Sequence, residues 1–159
     1  MGKNRYCGRT EIGVQLSNLP QRTLYGRRLG RPLGASRQAL VESLLPRIEI
    51  PAEVGEIDPG AFFSDAQDRL WLEIGFGAGE HLAWQARENP DIGFIGCEPF
   101  INGLARLLSE IERDRLDNVR LYRDDARLLM AALPEGAVDR AFVLFPDPWR
   151  KTRHHKRRI

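Results

Sequence analysis

Phe145-Pro146-Asp147-Pro148-Trp149 stands directly before Arg150-Lys151-Thr152-Arg153-His154-His155-Lys156-Arg157-Arg158, a run with six Arg or Lys, two His and no acid. A carboxylate can orient a base or an amine, an indole can stack on a base, and a cationic run can seat phosphates. Together they point to a base-handling site beside a phosphate-binding surface. The two prolines fix the backbone on either side of Asp147 and would present it rigidly. Trp149 suits base stacking or, equally, a place in the core. His154 and His155 have no third ligand nearby, so they read as hydrogen-bond donors and no metal site is expected.

A second constellation lies upstream. In Leu72-Glu73-Ile74-Gly75-Phe76-Gly77-Ala78-Gly79 a glycine turn follows an apolar run. Its GxGxG spacing differs from GxGxxG, and alone it fits a plain strand-to-helix turn as well as a ligand cradle at Gly75 and Gly77. Glu73 tilts the reading. A carboxylate two residues before the first glycine repels a pyrophosphate but suits an amine or a sulfonium centre, and S-adenosylmethionine carries both. Glu98 follows the next apolar run, where an acid can accept from two ribose hydroxyls, a placement that also fits NAD. In Asp124-Asp125-Ala126 one carboxylate can receive an adenine amino group. Asp125, beside the small Ala126, is the choice, with simple helix capping as the alternative.

The elements that must hold these residues follow from hydrophobic periodicity. From residue 69 strands alternate with helices, as in a parallel sheet covered by helices. Strands are expected at 70–74, 93–97, 119–122 and 140–145, and helices at 78–88, 101–115 and 125–133. In the second helix Leu104, Leu107, Leu108 and Ile111 recur at three-and-four spacing. Trp71 and Trp84 read as core, His81 as exposed, and Cys97 as a small buried hydrophobe. Upstream, Ser36 is a candidate cap for a helix with Ala39, Leu40 and Leu44 on one face, stopped by Pro46. Residues 49–68 read as a loop. A sheet ending after its fourth strand would leave an open edge, so the expectation is an incomplete domain whose C-terminal strands are missing.

Charge is partitioned along the 159 residues. Residues 1–37 carry eight Arg or Lys against Glu11, residues 38–149 carry ten basic against 21 acidic side chains, and residues 150–159 carry six basic ones. Two basic ends flank an acidic body, which favours a polyanionic partner such as RNA over a membrane. No apolar run approaches the roughly 18 residues needed to cross a bilayer, and the N-terminus lacks a signal-peptide core. A cytoplasmic location is the simplest expectation. Cys7 and Cys97 form neither a CxxC pair nor a metal-spaced cluster. The division expected is a basic arm over 1–35 and a partial catalytic domain over 36–159.

With the glycine turn, Glu98, Asp125-Ala126 and the FPDPW run in this order, the chain resembles the tRNA (guanine-N7-)-methyltransferase family of the bacterial TrmB type. The similarity runs from about Leu24 to Ile159 and includes the arm Tyr25-Gly26-Arg27-Arg28-Leu29-Gly30-Arg31-Pro32-Leu33. The resemblance implies an α/β, Rossmann-like class I S-adenosylmethionine-dependent methyltransferase fold. It also implies methyl transfer to N7 of guanine 46 in the variable loop of tRNA. Glu73, Glu98, Asp125 and Asp147 match cofactor-contacting positions of the family. Asp147 also matches its proposed catalytic residue, and Lys151 a substrate-binding one. Arg153, His154, His155, Lys156, Arg157 and Arg158 match a stretch associated with RNA contact. The family also uses an Asp and a Thr-x-x-Glu element further along, which this chain does not contain. Two other readings stand beside this one: a non-catalytic tRNA-binding fragment and a nicotinamide-dependent oxidoreductase.

Overall fold

The structure, a computed structural model, describes residues 28–51, 56–64, 67–144 and 150–153. Four strands alternate with three helices: β1 (Arg69–Ile74), α3 (Glu80–Glu88), β2 (Ile92–Cys97), α4 (Ile101–Asp114), β3 (Val119–Tyr122), α5 (Ala126–Ala132) and β4 (Arg140–Val143). Two helices precede them, α1 (Ala35–Ser43) and α2 (Leu45–Ile48). The sheet is parallel, in the order β3-β2-β1-β4. The chain thus winds outward from β1 to β3, then crosses back to the other side of β1. Such a reversal opens a crevice at the carboxyl ends of the strands in a Rossmann-like sheet. The register aligns those ends, because Ile74 lies level with both Cys97 and Val143, and Cys97 with Tyr122.

Strand residues alternate between two faces, and the two cores follow that alternation. Leu70, Leu72 and Ile74 of β1 join Ile95, Cys97 and Tyr122 under Ala126, Leu129 and Ala132 of α5. Trp71 joins Phe94 and Val119 on the opposite face, under Leu82, Ala83 and Ala86 of α3 and Leu104, Leu107 and Leu108 of α4. Each fully buried leucine in these layers contributes roughly 2 kcal/mol. By parity Glu73 belongs to the face of Trp71, turned toward α3.

Asn118 fastens the helical layer to the sheet. It is 1% exposed, and its amide nitrogen faces the carbonyl oxygens of Ala86 at 3.0 Å, Asn89 at 3.1 Å and Ile92 at 3.0 Å. Its own carbonyl accepts from the backbone nitrogen of Phe94. Asn118→Ala removes the side-chain donor from the buried Ala86 and Ile92 carbonyls, while the Asn89 carbonyl keeps the Ile92 N–H. It should lower the unfolding free energy by about 3 kcal/mol, read as a drop in the urea midpoint at unchanged slope.

Several expectations are corrected. Gly34, not Ser36, is the N-cap of α1, and Ala39 is exposed, whereas Leu40 and Leu44 meet the core as expected, together with Val41. Pro46 does not stop the helical segment but occupies the first turn of α2, where its missing N–H costs nothing. Trp84 is 51% exposed. With Leu82, Ala83 and Ala86 facing inward, the helical phase turns position 84 out. β4 is described over Arg140–Val143, and Phe145, the last residue of the expected strand, lies outside the described residues. The segment at 49–68 is not a plain loop. Ile50 donates its backbone N–H to Leu121 and Ile57 donates its own to Ala132, both side chains are buried, and Pro59–Ala61 form a 3-10 turn.

Candidate active site

The turn after β1 is built on three glycines with positive φ: Gly75 at 71°, Gly77 at 61° and Gly79 at 83°. A side chain there would be strained. Gly75 donates its N–H to the Cys97 carbonyl at 2.8 Å, which pins the turn to the end of β2. A Cβ built on Gly75 or on Gly77 would meet no atom within 4 Å, so open space lies over both. The floor of the turn is closed by α4. A Cβ on Gly103 would lie 2.0 Å from the carbonyl oxygen of Gly77. Neither the motif nor the helical period had marked Gly103, because its constraint comes from a neighbour 26 residues away.

Glu98 organises the same corner. Its Oε2 accepts from the Gly77 N–H at 2.9 Å and its Oε1 from the Phe100 N–H at 3.0 Å. Its own N–H donates to Tyr122 at 3.1 Å, tying in the end of β3. The residue is 9% exposed, and each carboxylate oxygen retains a lone-pair direction for a further donor. Glu73 is more deeply set, at 3% exposure. Burial pushes its carboxyl above the usual range, opposed by a hydrogen bond and the charge interaction with His81. His81 Nδ1 lies 2.8 Å from Glu73 Oε2. The expectation of an exposed His81 is therefore corrected: α3 places it one turn along from the glycines, directly on the acid of β1.

Asp125 is the N-cap of α5. It accepts from the Arg127 N–H at 3.0 Å and holds the Arg127 guanidinium in a two-pronged ion pair. The capping alternative is thus the arrangement seen. Asp124 Oδ1 accepts from the Asp125 N–H and from Arg28 Nη2 at 3.1 Å. The backbone continues that contact, since the Arg28 carbonyl accepts from Ile101 and the Arg31 carbonyl from the Asn102 amide. The end of the basic arm is therefore laid across the starts of α4 and α5. Burial, together with the charges of Asp125 and Glu98, pushes the Cys97 thiol up, which leaves it no nucleophilic character. Burial, aided by Asp124, raises the Tyr122 hydroxyl to about 12.

Glu73, Gly75, Gly77, Glu98 and Asp125 thus gather at the carboxyl edge of β1, β2 and β3. Lys151 and Arg153 are exposed beyond β4. Asp147, Trp149, His154, His155, Lys156, Arg157 and Arg158 lie outside the described residues. Among the described residues no group of three His, Cys, Asp or Glu side chains is placed to hold a metal ion, and no helix is long and apolar enough to cross a membrane.

The features present fit an adenosyl cation: a backbone cradle with free space over two glycines, a buried acid whose burial opposes its charge, and a second acid with lone pairs to spare. Comparison with known proteins agrees. The model of a family described as "Putative methyltransferase" matches residues 67–159. A tRNA (guanine-N(7)-)-methyltransferase of Rhodospirillum rubrum is 50% identical over 139 residues, covering 85% of this chain and 54% of the relative. The proteins of that name from Paramagnetospirillum magneticum and Hyphomonas neptunium are each 50% identical, over 138 and 135 residues, with 85% of this chain and 58% and 61% of the relative covered. The chain spans little more than half the length of these relatives.

Proposed function

Since the chain belongs to this methyltransferase family, we propose that the protein transfers a methyl group from S-adenosylmethionine to N7 of a guanine in tRNA, guanine 46 of the variable loop. The observation that carries the reading is the open glycine turn held by Glu98, with the buried acid Glu73 two residues before it in β1. When bound, S-adenosylmethionine supplies an electrophilic methyl group on a sulfonium centre. Glu73 offers a buried negative charge to the cationic part of that molecule. Glu98 accepts from the ribose hydroxyls while holding Gly77 and Phe100 in place. Asp125 accepts from the adenine amino group in addition to capping α5.

Guanine N7 has an in-plane lone pair and no proton, so the chain needs no general base there. Its task is alignment and charge complementation. Asp147, held between Pro146 and Pro148, orients the guanine edge as the catalytic residue. Lys151, Arg153, Lys156, Arg157 and Arg158 seat backbone phosphates, with His154 and His155 as further donors. The basic arm over 1–35 adds a second phosphate-binding stretch outside the catalytic domain over 36–159. The cytoplasm, where such a tRNA is met, is the location this function requires.

The test uses the protein as naturally expressed, S-adenosylmethionine labelled in its methyl group, and two tRNA transcripts that differ only in guanine or adenine at position 46. Label is expected in the guanine transcript and absent from the other. Equal labelling of both would refute the position. A protein that binds tRNA yet transfers no label would be the non-catalytic binder that the same basic ends allow.

A further inference from the structure

Glu73 has one side-chain partner among the contacts described above, and that partner belongs to an ordered series. His81, Gln85 and Asn89 follow one another at four-residue spacing along α3 and past its end. Asn89 donates its amide N–H to the Gln85 side-chain carbonyl at 3.2 Å and to the Gln85 backbone carbonyl at 2.8 Å. With its oxygen engaged, the Gln85 amide turns its nitrogen to His81 Nε2 at 3.3 Å. An N–H donated to Nε2 makes that nitrogen the acceptor, which leaves the proton on Nδ1, toward Glu73. Phe142 of β4 lies edge-on to the imidazole, with ring centroids 5.0 Å apart, and limits its rotation.

We infer that His81 is a positioning residue: its Nδ1–H, oriented by Gln85 and Asn89, holds the Glu73 carboxylate in place and charged for the cationic end of the methyl donor. The imidazole N–H suits this, because it supplies a hydrogen bond that keeps a buried carboxylate available to a cation. Among the described residues the contacts leave the pair to itself. His81 meets Glu73 from β1, Phe142 from β4, and Gln85 and Trp84 from its own helix. Of the charged neighbours, Glu80 is turned to Arg106, Arg87 to Asp114, and Arg140 of β4 lies over the Trp71 ring.

The direction of the effect follows. Burial raises the Glu73 carboxyl and His81 counteracts it. Without His81 the acid takes up its proton at a higher pH, so cation binding should weaken and recover as the solution is made more alkaline. The inference rests on the methyl-donor reading, and calorimetric titration separates the two. The ligands are S-adenosylmethionine and 5′-methylthioadenosine, which lacks both the sulfonium and the amine. The proteins are wild type, His81→Leu and His81→Asn, each as the full natural protein from pH 5.5 to 9.

His81→Leu should weaken S-adenosylmethionine about tenfold at pH 7, move the acid limb of binding to higher pH, and leave 5′-methylthioadenosine unchanged. His81→Asn, which keeps an N–H donor near the Nδ1 position, should restore affinity to within about threefold. Equal losses for both ligands at every pH, or a His81→Leu protein indistinguishable from wild type, would overturn the role of His81 alone. Wild-type protein that binds neither ligand would overturn the methyl-donor reading and this one with it.

Discussion

Gly103→Ala is expected to abolish S-adenosylmethionine binding while leaving most of the sheet folded. The new methyl carbon would lie 2.0 Å from the carbonyl oxygen of Gly77, a backbone atom that no rotamer change can remove. About an ångström or more of separation must open between α4 and the glycine turn. Overpacking of this kind costs roughly 1–3 kcal/mol. The greater damage is to the site, because an ångström of misplacement at a binding corner is worth about 10²-fold. The turn carries the Gly77 N–H away from Glu98, and Glu98 also anchors Phe100 at the entry to α4. Calorimetric titration should show at least that loss of affinity, with a far-ultraviolet dichroism spectrum close to wild type. Unchanged affinity would mean that α4 and the turn are not locked together as described.

Glu98→Ala should be nearly as severe and for a different reason. The carboxylate accepts two backbone hydrogen bonds that no other group offers to Gly77 and Phe100 in the contacts described. Hydrogen bonds to a charged acceptor contribute about 1.5–3 kcal/mol each, so the corner loses roughly 3 kcal/mol of its local stability. The ribose contact proposed for Glu98 would be lost as well, and together these predict an affinity drop of about 100-fold or more. Glu98→Gln separates shape from charge. Its oxygen can serve one amide, but its nitrogen then faces the other N–H, so it should recover only part of the loss. Urea unfolding followed beside ligand titration would show both effects. A Glu98→Ala protein with wild-type affinity would remove Glu98 from the site.

The strands and the glycine turn were legible because they are local patterns. Apolar runs bounded by turn residues marked β1, β2 and β3 to within a residue, and β3 at 119–122 coincides with Val119–Tyr122. The acids Glu73, Glu98 and Asp125 were legible as strand-end residues beside that turn. What stayed hidden depends on the phase of one element against another. Whether position 81 or 84 meets the sheet is fixed by how α3 rolls on Leu82, Ala83 and Ala86, and that roll left Trp84 outside and brought His81 onto Glu73. The contact of Arg28 with Asp124 spans 96 residues and leaves no local trace. Ile50 and Ile57 are single apolar residues in a polar stretch, without a period to announce their burial. Pro46 misled because the same residue that ends one helix is well suited to open the next.

The placement of Glu73 on the α3 face also bears on how β1 finds its partners. A slip of one residue in the pairing of β1 would invert its two faces and carry this carboxylate to the side of α5, among Ile95, Leu129 and Ala132. Among the described residues no imidazole lies on that side, and an unpaired buried charge costs several kcal/mol. The acid proposed to meet a cation therefore also disfavours misaligned pairings, and it acts as a register pin whether or not a ligand is bound.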